Sequence, residues 1–185
     1  MNMNWVEKSS ELSQGSIISG ISWPNIKETE APFGVVVSNA CDFENDKLQF
    51  IIAAAIVPAS DVLLNSKEFK SIIDNNNLSE LSSRQQKKLD EYVRSFVNNN
   101  RFGRYYFFDI APIFEKDDPI PMLIDFQHIS SAPYPNEQIK TIGRICHPFV
   151  EQFIMCFSHY VSRIPSDRAS KEQYELLKNK ILFQN

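Results

Sequence analysis

The sequence predicts an α+β protein built on a small, strongly bent, mostly antiparallel sheet. Three observations carry this expectation. Short apolar runs rich in β-branched and aromatic residues lie between Gly15 and Pro58 and return between Arg101 and Ser131. A stretch with helical periodicity, residues 60–98, separates the two groups, and a Phe-rich amphipathic run closes the chain. That order differs from the strict alternation of strand and helix that builds a parallel sheet. With 185 residues, 43% of them apolar, the chain is expected to form one domain, residues 1–185. A domain of such length buries roughly two-thirds of its unfolded surface.

Before Gly15 the chain is polar apart from Trp5, and GSIISGISWP then reads as a first strand closed by Trp23-Pro24. The polar NIKETEAP is a loop, and FGVVVSNA is too continuously apolar to have one wet face, so it reads as a buried strand. FENDK reads as a turn, and LQFIIAAAIVP as a third strand whose triple alanine implies close packing against something bulky. From Ser60 the period changes. Val62, Leu63, Phe69, Ile72 and Ile73 recur at helical spacing until DNNN, and Ser79 opens a second helix with Leu81, Leu89, Tyr92, Val93, Phe96 and Val97 as its apolar stripe. Residues 60–98 are therefore expected to be a two-helix insertion. RFGRYYFFDI and MLIDFQHISS return to strand character, so barrel strands are expected over about residues 15–58 and 101–131. C-terminal helices are expected over about 148–182, the first carrying Phe149, Phe153, Cys156, Phe157 and Tyr160 on one face and stopped by Pro165.

The formal net charge of −4 argues against a broad electrostatic footprint for nucleic acid. No apolar run approaches the roughly 18 to 20 residues needed to cross a bilayer, and no secretory leader is recognised, so a cytoplasmic protein without a membrane role is expected. Cys41, Cys146 and Cys156 are an odd number at spacings unlike a disulfide framework, which fits reduced thiols.

Four groups of residues could carry chemistry. Cys41 would need an activating partner, yet Asp42 and Glu44 beside it disfavour a thiolate, so it is expected to be a packed thiol at a strand end with Asp42 capping the turn. Cys146-His147 and Cys156-x-x-His159 resemble paired metal ligands, but Cys156 falls in the Phe-rich stripe, and no metal site and no cofactor are expected. Asp42, Asp109, Asp117, Asp118 and Asp125 could supply a nuclease-like acidic cluster. Arg101, Arg104, Tyr105, Tyr106 and Phe107 interleave cations with aromatics as a single-strand binding surface does, and Arg144 and Arg163 could join them.

Read in order, QGSIISGISWP, FGVVVSNACDFEN, FIIAAAIVP, LIDFQHISSAP and IGRICHPFVEQFIMCFSHYVSRI resemble the strands and closing helix of the MazF/PemK-type toxin superfamily. The resemblance implies an SH3-like barrel. RNA-cleaving members of that superfamily use an Arg at the start of the second strand and a Thr or Ser at the end of the third. The corresponding positions here are Phe33-Gly34 and Val57-Pro58, and only Ser38 matches the second-strand serine. The resemblance therefore implies the fold without the activity. The chain is also similar to small bacterial proteins sharing a Ser-x-x-Cys-Asp strand end, here Ser38 to Asp42, and a closing helix ending Arg-x-x-Pro, of which Arg163-Ile164-Pro165 is a close variant. That likeness implies a setting among mobile elements and defence genes.

The function expected from the sequence is thus a non-enzymatic, protein-binding component of a bacterial toxin–antitoxin or phage-defence set. Trp5, Trp23, Arg101, Arg104 and Tyr106 are its expected contact residues, with Asp42 beside them as a residue to test, because aromatic and Arg side chains make most interface hot spots. A nucleic-acid partner is left open, and so is the oligomeric state. The alternative is an RNA- or DNA-cleaving enzyme with relocated catalytic groups, namely Cys41, Asp42, Arg104 and His128.

Overall fold

A computed structural model describes residues 5–24, 26, 31–45, 47–73, 80–99, 103–108, 113 and 121–162. Seven strands form a single sheet: β1 (Val6–Glu7), β2 (Ser16–Ser19), β3 (Phe33–Val36), β4 (Phe50–Pro58), β5 (Tyr105–Phe108), β6 (Met122–Pro133) and β7 (Lys140–Ile145). Their order is β1-β7-β2-β3-β4-β6-β5, and every pairing is antiparallel. The sheet curls into a half-barrel, as the sequence predicts. Trp5, just ahead of β1, stacks on Phe149 with 4.7 Å between ring centroids and meets Phe107 of β5 edge-on at 6.3 Å. One aromatic residue thus spans the gap between the two edge strands, which is how the curl is held nearly closed.

Both faces are covered, which explains why the strands are apolar without alternation. Ile17, Val35, Ala54, Ile56, Tyr106, Ile124 and Phe126 share the inner core with Phe153 and Cys156 of the closing helix α5 (Phe149–Ser162). Ile18, Val36, Ile51, Ala53 and Ala55 face outward and are capped by Trp23. The triple alanine therefore does what the sequence implies: Ala53 and Ala55 admit the Trp23 cluster, while Ala54 admits inner aromatics. Gly34 has the same cause. A Cβ there would lie 2.6 Å from Trp23 Cη2 and 2.7 Å from Cζ2. Trp23 Nε1 donates to the Ala31 carbonyl at 2.7 Å, which fastens the β2–β3 connection to the outer face.

Among the described residues the insertion holds three helices where the periodicity suggests two: α2 (Ala59–Asn65), α3 (Lys67–Ile73) and α4 (Ser83–Val97), in chain order after α1 (Ala40–Glu44). Ser66 makes the difference. Its Oγ donates to the Leu63 carbonyl at 2.9 Å, accepts from Phe69 N at 3.0 Å and accepts from the Tyr92 hydroxyl at 2.6 Å. One side chain thus ends α2, caps α3 and ties both to α4. Ser82 is the N-cap of α4, in a reciprocal capping box with Gln85, and Ser79 lies outside the described residues. Phe69, Ile72 and Tyr92 form a separate small core with Leu63, Leu89 and Phe96 around them.

Two readings of the sequence need correction. FENDK and the residues before it are not a plain turn after a strand: Asn39 caps the short helix α1, its side chain accepting from Cys41 N at 3.2 Å. Asn at that position satisfies an otherwise unpaired amide, so the helix starts at Ala40 and carries Cys41 into solvent. The stretches around Val6 and Lys140, unassigned from sequence, are strands, because their partners are found across the curled sheet rather than beside them in the chain. The predicted last helix lies outside the described residues.

Candidate functional site

β6 contains the irregularity that builds the site. Its pairing to β4 runs from Met122↔Pro58 to Asp125↔Ala55, then resumes at Ile129↔Ala54, so three residues of β6 are unmatched. In a regular strand, residues three apart point to opposite faces. The bulge resets that phase, so Asp125 and His128 meet: His128 Nδ1 lies 2.7 Å from Asp125 Oδ2. On the other side of β6 the ladder to β5 extends through Phe126 N, which donates to the Arg104 carbonyl at 2.9 Å. Tyr105 is the partner of Asp125 in that ladder, so Arg104 lies one residue further along, level with Phe126 and beside Asp125.

Asp125 is 1% exposed and accepts four hydrogen bonds. Arg104 Nε donates to Oδ1 at 2.7 Å and Arg104 Nη2 to Oδ2 at 2.5 Å, while Gln127 N donates to Oδ1 at 3.0 Å. His128 supplies the fourth. The four lone-pair sites of the carboxylate are thereby filled, which is the condition for burying its charge. Because an ionised Asp125 can only accept, the Nδ1 proton belongs to the imidazole, and Nε2 is the ring nitrogen without a bond among the described residues. The bond to Asp125 raises the Arg104 pKa above its ordinary value, against the opposing effect of burial. The guanidinium also lies 4.9 Å from the Tyr105 ring centroid.

Arg104 and His128 keep 36% and 33% of their side-chain surface exposed, and both line a cleft of about 510 Å³. The cleft opens between the outer face of the sheet and the insertion. Its walls are Ile26, Val57, Pro58 and Val62 with the rings of Phe96 and Tyr105, and its other polar residues include Asp61, on the first turn of α2. A few convergent polar groups among apolar walls is the usual form of a ligand site.

The structure sorts the residues singled out from the sequence. Arg104 and His128 come together, and Asp125, named only among scattered acids, is what joins them. Cys41 and Asp42 sit on α1, outside the lining of this cleft, and the packed thiol expected at Cys41 is an exposed one. Asp42 does not cap the turn with its carboxylate; Asn39 supplies the cap. Trp23 and Tyr106 are 6% and 1% exposed, so neither is a surface contact. Tyr106 donates to Gln152 Oε1 at 3.3 Å, and burial pushes its phenol pKa well up. Trp5 is half-buried in the closure described above. Arg101, Arg163, Asp109, Asp117 and Asp118 lie outside the described residues. Arg144 pairs with Glu7 across β1 and β7, away from Arg104.

Ser38 is not free for chemistry either, since its Oγ accepts from Ile52 N at 2.8 Å and latches the end of β3 to β4. Cys156 is buried in the inner core and His147 is bonded to Glu151, so the two Cys–His pairs do not converge. Among the described residues, no three His, Cys, Asp or Glu side chains gather in a way that could hold a metal ion. None of the described helices is long and apolar enough to cross a membrane. Compared with protein-family models, with curated proteins and with solved structures, the chain finds no match.

Proposed function

We propose that the protein is a non-enzymatic binding module that engages a protein partner through the cleft between its half-barrel and its helical insertion. The observation that carries this reading is Arg104, pre-oriented by a buried and fully bonded Asp125 at the floor of an apolar-walled cleft. A guanidinium already fixed in place loses little side-chain freedom on binding, which is what makes a preorganised Arg an effective anchor. The setting we propose is a cytoplasmic, bacterial toxin–antitoxin or phage-defence set, on the strength of the resemblance of the strand sequences to toxin-type barrels. The bound half-barrel would then serve recognition, because the positions where such toxins carry catalytic groups hold Phe33-Gly34 and Val57-Pro58, and Val57 and Pro58 wall the cleft.

Cleavage of RNA or DNA is the second reading, favoured by one observation: a carboxylate on Nδ1 of His128 is the arrangement that orients an imidazole for proton transfer. Charge weighs against it. Among the described residues, the cleft is lined by two carboxylates, Asp61 and Asp125, and one guanidinium, Arg104, and that balance does not favour a phosphate chain.

The test is capture of partners from a bacterial lysate by wild-type protein and by Val62→Trp, which fills the cleft without touching the Arg104–Asp125 pair. The reading expects a stoichiometric protein that wild type retains and the variant loses, at unchanged thermal stability. Equal capture by both proteins, or cleavage of labelled oligonucleotides that disappears in His128→Ala, would overturn it.

A further inference from the structure

We infer that the cleft recognises a single carboxylate carried next to an apolar side chain, and that the end-on edge of the Arg104 guanidinium is its receptor. The inference rests on the binding role proposed above and names the chemistry of the bound group.

The hydrogen bonds already made by Arg104 decide which of its edges is open. Asp125 takes the side-on edge, Nε together with Nη2. A guanidinium has five N–H groups, so three remain, two on Nη1 and one on Nη2. The 3.4 Å approach of Nη2 to His128 Nδ1 does not consume one, because that nitrogen spends its own proton on Asp125. Among the described residues, nothing bonds Nη1. The Nη1–Nη2 edge is the fork whose spacing matches two oxygens of one carboxylate. His128 Nε2, also without a bond among the described residues, lines the same cleft.

Phosphate oxygens fit that fork as well, and the surroundings separate the two. Asp61 shares the cleft, and Asp125 already neutralises Arg104. A dianion or a chain of phosphates would meet both carboxylates, whereas a monoanion meets the least repulsion that a charged ligand can. The walls, Ile26, Val57, Val62 and Phe96, suit an apolar side chain rather than a hydrated backbone of phosphates. A protein segment supplies that combination in two ways, as a C-terminal residue with its own carboxylate or as an Asp or Glu beside an apolar residue.

The experiment is a titration of the full chain, followed by the amide signals of Val62 and Tyr105 and by the Arg104 Nε–H, with five probes: N-acetyl-leucine, N-acetyl-leucinamide, N-acetyl-leucyl-glutamic acid α-amide with its side-chain carboxylate free, phenyl phosphate and a short uridine oligonucleotide. The two carboxylate probes should bind about tenfold or more tightly than the neutral amide, the difference a charge-assisted fork makes. Whichever carboxylate probe binds better identifies a chain terminus or a side chain as the source. Asp61→Asn, which removes a competing charge and no packing, should tighten both, and Arg104→Lys, which keeps the charge and loses the fork, should weaken both. Equal affinity for acid and amide, tighter binding of phenyl phosphate or the oligonucleotide, or an unchanged response in Asp61→Asn would overturn the inference. If no probe moves the cleft signals while Val62→Trp still abolishes partner capture, the carboxylate inference fails and the binding role stands. Carboxylate binding in the cleft with capture unaffected by Val62→Trp would leave the site and remove the role.

Discussion

Asp125 and His128 lie three residues apart on one strand and still share a hydrogen bond on one face of the sheet, because three residues of β6 pass between consecutive partners on β4. The bulge therefore does the work that a loop does in many sites, while leaving the side chains on a paired strand. Everything proposed about the cleft depends on the rigidity this gives to Asp125 and, through it, to Arg104.

Arg104→Ala should destabilise the protein by about 3 kcal/mol, near the lower end of losses for a broken buried pair because a third of the Arg104 side chain is wet. The cost arises from leaving the Asp125 carboxylate buried with its main partner gone. Arg104→Met combined with Asp125→Leu should recover most of it. Urea unfolding at neutral pH measures both, and a double variant no better than Arg104→Ala would show that the pair is not the source of the loss.

Ser66 joins three helices with one hydroxyl, so its removal should cost more than a single hydrogen bond. Ser66→Ala is expected to lower stability by about 2 kcal/mol, the sum of a lost cap and the lost bond from the Tyr92 hydroxyl, and Tyr92→Phe by about 1. Since both variants break the same bond, their effects should not add. A double-mutant cycle by thermal or urea unfolding reads the coupling, and strict additivity would rule out the joint.

Gly34→Ala should be poorly tolerated, because its Cβ would stand 2.6 Å from the Trp23 ring, which is itself pinned by its bond to Ala31. Overpacking of this kind costs on the order of 1 to 3 kcal/mol. The accompanying shift in fluorescence should belong to Trp23, whose emission is isolated in a Trp5→Phe background. Wild-type stability in Gly34→Ala would mean that the indole does not sit on β3.

The packing around Gly34 also shows which parts of the molecule are legible in the sequence and which are not. FGVVVSNA and FIIAAAIVP announce buried strands by composition alone, and the alanines announce a bulky neighbour, since such signals are local. Val6-Glu7 is too short to carry a pattern, and KTIGRI gains its partners only when the sheet curls. Cys41 misleads for the same reason in reverse: its neighbours suggest a strand end, but the Asn39 cap two residues earlier starts a helix. At the site, Arg104 and His128 could be named from residue type, whereas Asp125 could not be told from four other acids, because a bulge leaves no mark in sequence when no Gly occupies it.

The cysteines should react in an order set by their surroundings. Cys41 is exposed, while burial pushes the thiol pKa up at both Cys146 and Cys156. A raised thiol pKa means less thiolate at any given pH below it, so both react more slowly than an unperturbed thiol and gain as the pH rises. Pulsed iodoacetamide at pH 8 followed by peptide mass spectrometry should find Cys41 modified first, Cys146 later and Cys156 only on unfolding. Early labelling of Cys156 would contradict its place in the inner core.

Asn99 protects the last strand of the sheet. With φ at 50°, its carboxamide is turned so that Oδ1 accepts from Phe107 N at 2.6 Å and Nδ2 donates to the Phe107 carbonyl at 2.8 Å, which is what a neighbouring strand would do. An edge strand with these groups open is a template for pairing with another chain. Asn99→Gly keeps the left-handed backbone accessible and removes only the carboxamide, so the fold should persist while the Phe107 amide exchanges with solvent faster, by about tenfold if one hydrogen bond of ordinary strength governs its opening. At high concentration the variant should also self-associate, as read by light scattering. Unchanged exchange at Phe107 in Asn99→Gly would mean that the carboxamide merely rests against the strand and does not hold its edge.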